Sequence, residues 1–224
     1  MQIDLQHQPS QAMAHVVLLP GESVTAESGA MVGMTPNVQL TTGSGGLLKG
    51  LKRLFGGESF FRNTFTASHG SEVGEVYLAA TLPGDLVVLD VGLSKYYLQS
   101  SAYVASTPGV DVDTKVGGFK TFFAGEGLFV LKTTGQGKVI AGAFGAIEEV
   151  QVRGEYIVDT GHLVAWEDSL QFRITKAADG WIASWLSGEG LVCHFSGQGT
   201  LWMQTRNPSE YGQELGRHLP ARES

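Results

Sequence analysis

The sequence predicts an all-β protein on three observations: a high glycine content, a low charge density and a series of short strand-like runs. Glycine supplies 31 of the 224 residues, about 14%, twice the usual share of about 7%. Charged residues make up 17%, below the usual ~25%. Many turns and little charged helix surface follow. Runs that alternate, or are rich in β-branched and aromatic residues, fall at Val16 to Leu19, Phe60 to Thr66, Val76 to Leu82, Leu86 to Asp90, Phe129 to Thr133, Gln151 to Val158, Leu170 to Thr175 and Leu191 to Phe195. Each predicts a strand. Their spacing, roughly 8 to 12 residues with few helical patterns between, points to a sandwich or barrel rather than an alternating α/β sheet.

Two signatures recur along the chain. Gly-acid followed by acid-x-Gly occurs as Gly21-Glu22 with Glu27-Ser28-Gly29, Gly84-Asp85 with Asp90-Val91-Gly92, and Gly154-Glu155 with Asp159-Thr160-Gly161. Gly-Glu before two apolar residues occurs at Gly57-Glu58, Gly125-Glu126 and Gly188-Glu189. Both signatures step by about 65 residues, as a triplication would. The expected organisation is a single domain over 1–206, with repeats near 21–83, 84–153 and 154–206 around a pseudo-threefold axis, and a polar tail over 207–224 with one short helix from Ser209 to Leu215. Glycine before an acid suits a turn, so these carboxylates read as structural.

Composition excludes several function classes. With 15 basic and 22 acidic residues the net charge is -7, and the isoelectric point lies near 5.3; the chain repels phosphate backbones, and nucleic acid is disfavoured as a partner. Mean hydropathy is +0.03, and no apolar run approaches the roughly 18 residues of a spanning helix. The lone Cys193 cannot make an internal disulfide, and Met1 to Ser10 lacks the regions of a secretion signal, so a reducing cytoplasm is expected.

One segment breaks the β pattern. Within a glycine-rich insertion at 43–57, Leu47, Leu48, Leu51, Leu54 and Phe55 form one apolar stripe on a helix, with Lys49, Lys52 and Arg53 away from it. As a basic amphipathic segment it is a candidate contact for a membrane surface or a protein partner. The simpler reading folds it onto its own β core or buries it between subunits.

Chemistry is hard to find. Gly135-Gln136-Gly137 and Gly197-Gln198-Gly199 lack the third glycine and the helix of a dinucleotide site and read as hairpin turns. The six histidines, His7, His15, His69, His162, His194 and His218, show no metal-motif spacing. Adjacent Cys193 and His194 face opposite sides of a strand and cannot pair as nucleophile and base, so Cys193 reads as a small core residue. No Gly-x-Ser-x-Gly elbow is present. Tyr96, Tyr97, Tyr103, Trp166, Trp181, Trp185 and Trp202 read as core packing.

Ala26-Glu27-Ser28-Gly29-Ala30-Met31-Val32, the basic insertion, Gly57-Glu58-Ser59-Phe60-Phe61 and Phe65-Thr66-Ala67 together resemble the bacterial branch of the altered-inheritance-of-mitochondria (mitochondrial biogenesis) family, of unknown function. Gly125-Glu126-Gly127-Leu128 and Gly188-Glu189-Gly190-Leu191 agree, so the likeness spans about Gln2 to Arg206. The resemblance implies a fold like the tryptophan RNA-binding attenuator protein, a double-stranded β-helix or sandwich-like architecture, and oligomers; mitochondrial members are associated with inner-membrane organisation. It transfers no catalytic, cofactor or metal residue. The resulting expectation is a noncatalytic homo-oligomeric scaffold or adaptor, a trimer first, cytoplasmic or peripheral at the inner membrane, with no cofactor. The alternative is a small-molecule-binding protein or enzyme with a pocket between repeats.

Overall fold

The computed structural model describes residues 1–42, 62–70, 72–113, 129–176 and 191–220. They form β1 (Gln2–Gln6), β2 (Met13–Leu18), β3 (Ser23–Glu27), β4 (Met31–Met34), β5 (Val38–Thr42), β6 (Arg62–Ala67), β7 (Gly74–Leu78), β8 (Leu86–Val91), β9 (Tyr96–Gln99), β10 (Tyr103–Ser106), β11 (Val110–Asp113), β12 (Val130–Gly135), β13 (Gly137–Gly142), β14 (Ile147–Asp159), β15 (Leu163–Glu167), β16 (Gln171–Lys176) and β17 (Leu191–Gln204), then helix α1 (Pro208–His218). The all-β class stands. All eight sequence-predicted runs overlap a strand. The nine strands without a predicted run are short, and several, such as Met31-Val32-Gly33-Met34 and Tyr103-Val104-Ala105-Ser106, dilute their β-formers with Gly, Ala or Ser.

One set of antiparallel pairings occurs three times. In the first group β2 pairs β7, β3 and β5 flank β6, and β4 pairs β7. In the second, β8 pairs β13, β9 and β11 flank β12, and β10 pairs β13. In the third, the first half of β14 pairs the second half of β17, and the second half of β14 pairs the first half of β17. There β16 flanks the first half of β17 and β15 its second half. Each group carries the same register shift: between Met31 and Gly33, Tyr103 and Ala105, and Leu163 and Ala165. A β-bulge of this kind re-aims the side chains around it.

These registers place Glu27, Gln99 and Asp159 at one equivalent position, so the middle copy of the Gly-acid signature is out of phase: Gly84-Asp85 precedes β8, not β9. Gly-acid chemistry suits any turn, which is how it recurs at a different corner. The Gly-Gln-Gly pairs are also not hairpin turns. Gly135-Gln136-Gly137 joins β12 to β13, which pair other strands, and Gly197-Gln198-Gly199 lies inside β17. In β17, Gly197 (φ 114°) sits opposite Gly154 (φ 111°) of β14. Two left-handed glycines facing each other let the paired strands β14 and β17 bend together at mid-length.

The sheets run across the groups. One has the order β5-β6-β3-β10-β13-β8, another β11-β12-β9-β15-β17-β14, and a smaller one β1-β2-β7-β4, while β16 rests on β17 beside the second. Three cores lie between them. The first includes Val24, Ala26, Phe65 and Val76, the second Leu98, Leu131 and Val139, the third Val158, Trp166, Cys193 and Phe195. Helix α1 is capped by Asn207, whose side chain accepts from the Ser209 and Glu210 amides, and it buries no residue. It covers the expected tail helix and touches the β frame through Tyr211 on Phe144, with ring centroids 5.0 Å apart. Among the described residues no helix is long and apolar enough to cross a membrane.

Candidate assembly interface

Two joints knit the groups together, and each is made by the strand that carries the bulge. In the first, β10 pairs β3 with Ala105 opposite Ala26 and Ser106 opposite Thr25. In the second, β15 pairs β9 with Ala165 opposite Leu98, Trp166 opposite Tyr97 and Glu167 opposite Tyr96. The registers agree: the small residue just past each bulge faces the same position of the receiving strand. The donated strand also completes the neighbouring core. Val104 and Ala105 of β10 pack in the first core, and Val164 and Ala165 of β15 in the second.

Specific contacts close each joint. At the first, the Tyr103 hydroxyl donates to the Thr25 carbonyl at 3.3 Å and bonds the Ser106 hydroxyl at 2.8 Å. Burial raises the Tyr103 phenol above its ordinary range. Close by, burial pushes the Glu27 carboxyl up to about 7. At the second joint Tyr97 stacks on Trp166 at 5.7 Å, and Phe172 meets Trp166 edge-on at 4.9 Å. The Asp168 amide donates to the Lys95 carbonyl at 2.9 Å, and Ser94 donates to Glu167 at 3.2 Å. From Tyr103 to Ser106 and from Leu163 to Trp166 no residue is more than 2% exposed.

The equivalent strands at the two ends of the chain have no such partner among the described residues. Donor-type strand β4 pairs only β7 and ends its sheet; its Met31, Val32 and Met34 are 42%, 60% and 39% exposed. The receiving position, the second half of β14, pairs only β17; its Tyr156 and Ile157 are 37% and 58% exposed. Apolar side chains on unpaired strand edges form a template for pairing with another chain.

The sequence-predicted contact residues Leu47, Leu48, Lys49, Leu51, Lys52, Arg53, Leu54 and Phe55 lie outside the described residues, as do Trp181 and Trp185. The strands bounding that segment, β5 and β6, are paired with Thr42 opposite Asn63, so the chain leaves and re-enters the frame at one point. The stretches 114–128 and 177–190 occupy the same connection in the other two groups.

Chemistry-bearing side chains are scattered. Among the described residues no group of three or more His, Cys, Asp and Glu could hold a metal. Cys193 is fully buried, and burial pushes its thiol up to about 12, leaving no thiolate at neutral pH. His15 stacks on Tyr77 with centroids 4.5 Å apart and bonds Glu75 at 3.1 Å, on the open face of β2 and β7. A concavity of about 210 Å³ is lined by Glu155, Ile157, Phe172, Arg173, His194 and neighbours, all from the third group. It is smaller than the ~300 Å³ lower bound of ordinary ligand pockets, and it adjoins the free edge of β14.

The profile of the mitochondrial biogenesis AIM24 family matches residues 3–206, the stretch that holds all three groups of strands. The chain belongs to that family. An uncharacterised protein of Streptococcus pyogenes serotype M6 is 32% identical over 233 residues, spanning 98% of this chain and 86% of the relative. An X-ray crystal structure of a Streptococcus pyogenes protein superposes with a TM-score of 0.81 at 30% identity, covering 97% of this chain and 99% of that one. The AIM24 family membership agrees with the resemblance drawn from Ala26 to Val32 and the Gly-Glu signatures.

Sequence reasoning missed β4 and the exposed half of β14 as a pair of matching edges. A signal existed: Met31-Val32-Gly33, Tyr103-Val104-Ala105 and Leu163-Val164-Ala165 each read large apolar, valine, small. Their steps of 72 and 60 residues differ too much to stand out as a period.

Proposed function

We propose that this AIM24-family chain is a noncatalytic β scaffold of three equivalent units that works as a homo-oligomer, a trimer first, and presents its 47–55 segment to a membrane surface or protein partner. One observation carries the reading. The same strand that is buried to 2% or less in the second and third groups stands 39% to 60% exposed at its large residues in the first, which suits a surface that a neighbour covers. The buried thiol of Cys193 and the scattered histidines and carboxylates favour a structural over a catalytic role. A lone cysteine, Cys193, suits a reducing, cytoplasmic setting, at most peripheral to the inner membrane. Light scattering tests the reading: it predicts three times the 23.9 kDa chain mass at micromolar concentration. A 23.9 kDa species at every concentration up to hundreds of micromolar contradicts it.

A further inference from the structure

Resting on the oligomer reading above, we propose which surfaces of two copies meet and in what register: β4 of one copy pairs antiparallel with the second half of β14 of the next. Gly33 faces Val158, Met34 faces Ile157 and Thr35 faces Tyr156. The register is read from the molecule's own joints. Position by position, the shared bulge aligns Gly33 with Ala105 and Ala165, and Met34 with Ser106 and Trp166. The common pairing of the receiving strands aligns Val158 with Ala26 and Leu98, and Ile157 with Thr25 and Tyr97. Both existing joints set the small post-bulge residue opposite that position.

Two independent features identify the occupant as a second copy. The sheets come in complementary halves: each complete six-stranded path joins a three-strand receiving half to a three-strand donating half. β16-β17-β14 and β4-β7-β2 are left as one unjoined half of each kind. The cores say the same. Val104 completes the first core and Val164 the second, whereas the third core contains no residue of β4. Val32, the equivalent valine, is 60% exposed. A neighbour's Val32 would enter the third core beside Val158. Because donor and receiver are different surfaces of one chain, the contact is heterologous: it repeats head to tail and closes into a ring when the rotation per copy permits.

Cysteine pairing in the intact chain tests this. Opposed residues of an antiparallel pair hold their Cβ atoms about 4.5–5.5 Å apart, within reach of a short bis-maleimide. Met34→Cys and Ile157→Cys chains are co-expressed with tags of different size; native Cys193 is fully buried and stays silent. The expected result is a covalent heterodimer from the mixture, most of the chains linked, and at least tenfold less product from either variant alone. Leu40→Cys, 44% exposed on β5, paired with Ile157→Cys gives no product. As a second readout, Ile157→Lys retains its circular dichroism and loses the oligomer. Met34→Cys linking to itself overturns the proposal. So does an oligomer that persists by light scattering with no mixed product, which leaves the scaffold reading standing. A monomer in all samples overturns both.

Discussion

Strands β10 and β4 have the same length, contain the same kind of bulge and pair the equivalent inner strand of their groups. They differ in what lies on the other side. β10 lies against β3 and sinks Val104 to 1% exposure, while β4 has no second strand among the described residues and leaves Val32 at 60%. Burying a valine fully is worth roughly 1.5–3 kcal/mol, so the free edge holds back stabilisation that the made joints already realise. Among the described residues exposure follows position in the chain rather than strand design: the first donor and the last receiver are the two that pair no strand of a neighbouring group.

Breaking a made joint has the largest expected effect. Trp166→Ala empties a site packed by Tyr97, Phe172 and Phe195 and should cost about 3–5 kcal/mol in urea denaturation. The equivalent change at the free edge, Met34→Ala, should move the stability of the isolated chain by less than about 0.5 kcal/mol. Similar losses at both positions in a monomeric background would erase the distinction between the two regions.

A smaller effect concerns Glu27, at the made joint. The folded carboxyl of Glu27 titrates at about 7 against 4.5 for the ordinary group. Between those values the folded chain holds a proton that the unfolded chain has released, so this group's contribution is full below about pH 4.5 and is lost as pH rises to about 7. The loss is on the order of 1–3 kcal/mol. Glu27→Gln should flatten that part of the profile and be more stable than the native chain at pH 8. Parallel pH profiles for the two proteins would show that Glu27 is solvated when folded. At the made joint the smallest effect is that of Tyr103→Phe, which removes the hydroxyl between Thr25 and Ser106 and should cost about 1 kcal/mol by thermal melting.

Much of the frame was legible because its signals are local. The longer apolar runs, such as Gln151 to Val158 and Leu191 to Phe195, show their strand character in a window of eight residues or fewer. The helix after Asn207 is announced by its cap and by Pro208 at the first turn. The joints were not legible. Tyr103-Val104-Ala105-Ser106 is too short and too small in its side chains to read as a strand, and its role depends on β3, about 78 residues earlier by the Tyr103 to Thr25 contact. The Gly-acid signature misled in the middle group because turn chemistry marks corners without saying which corner. Gly-Gln-Gly reads as a hairpin because nothing local distinguishes a hairpin turn from a bend within a strand or a link between sheets.

Amide hydrogen exchange on the native protein at assembling concentration tests the central claim most directly. The peptides to follow cover Met31 to Met34 and Tyr156 to Val158, with Tyr103 to Ser106 as the internal standard of a made joint. If a neighbouring copy covers the free edges, the first two peptides exchange as slowly as the standard, and Ile157→Lys returns both to fast exchange while leaving the standard unchanged. If both peptides exchange within seconds at every concentration while the standard stays protected, the edges are free in solution and the assembly account is contradicted.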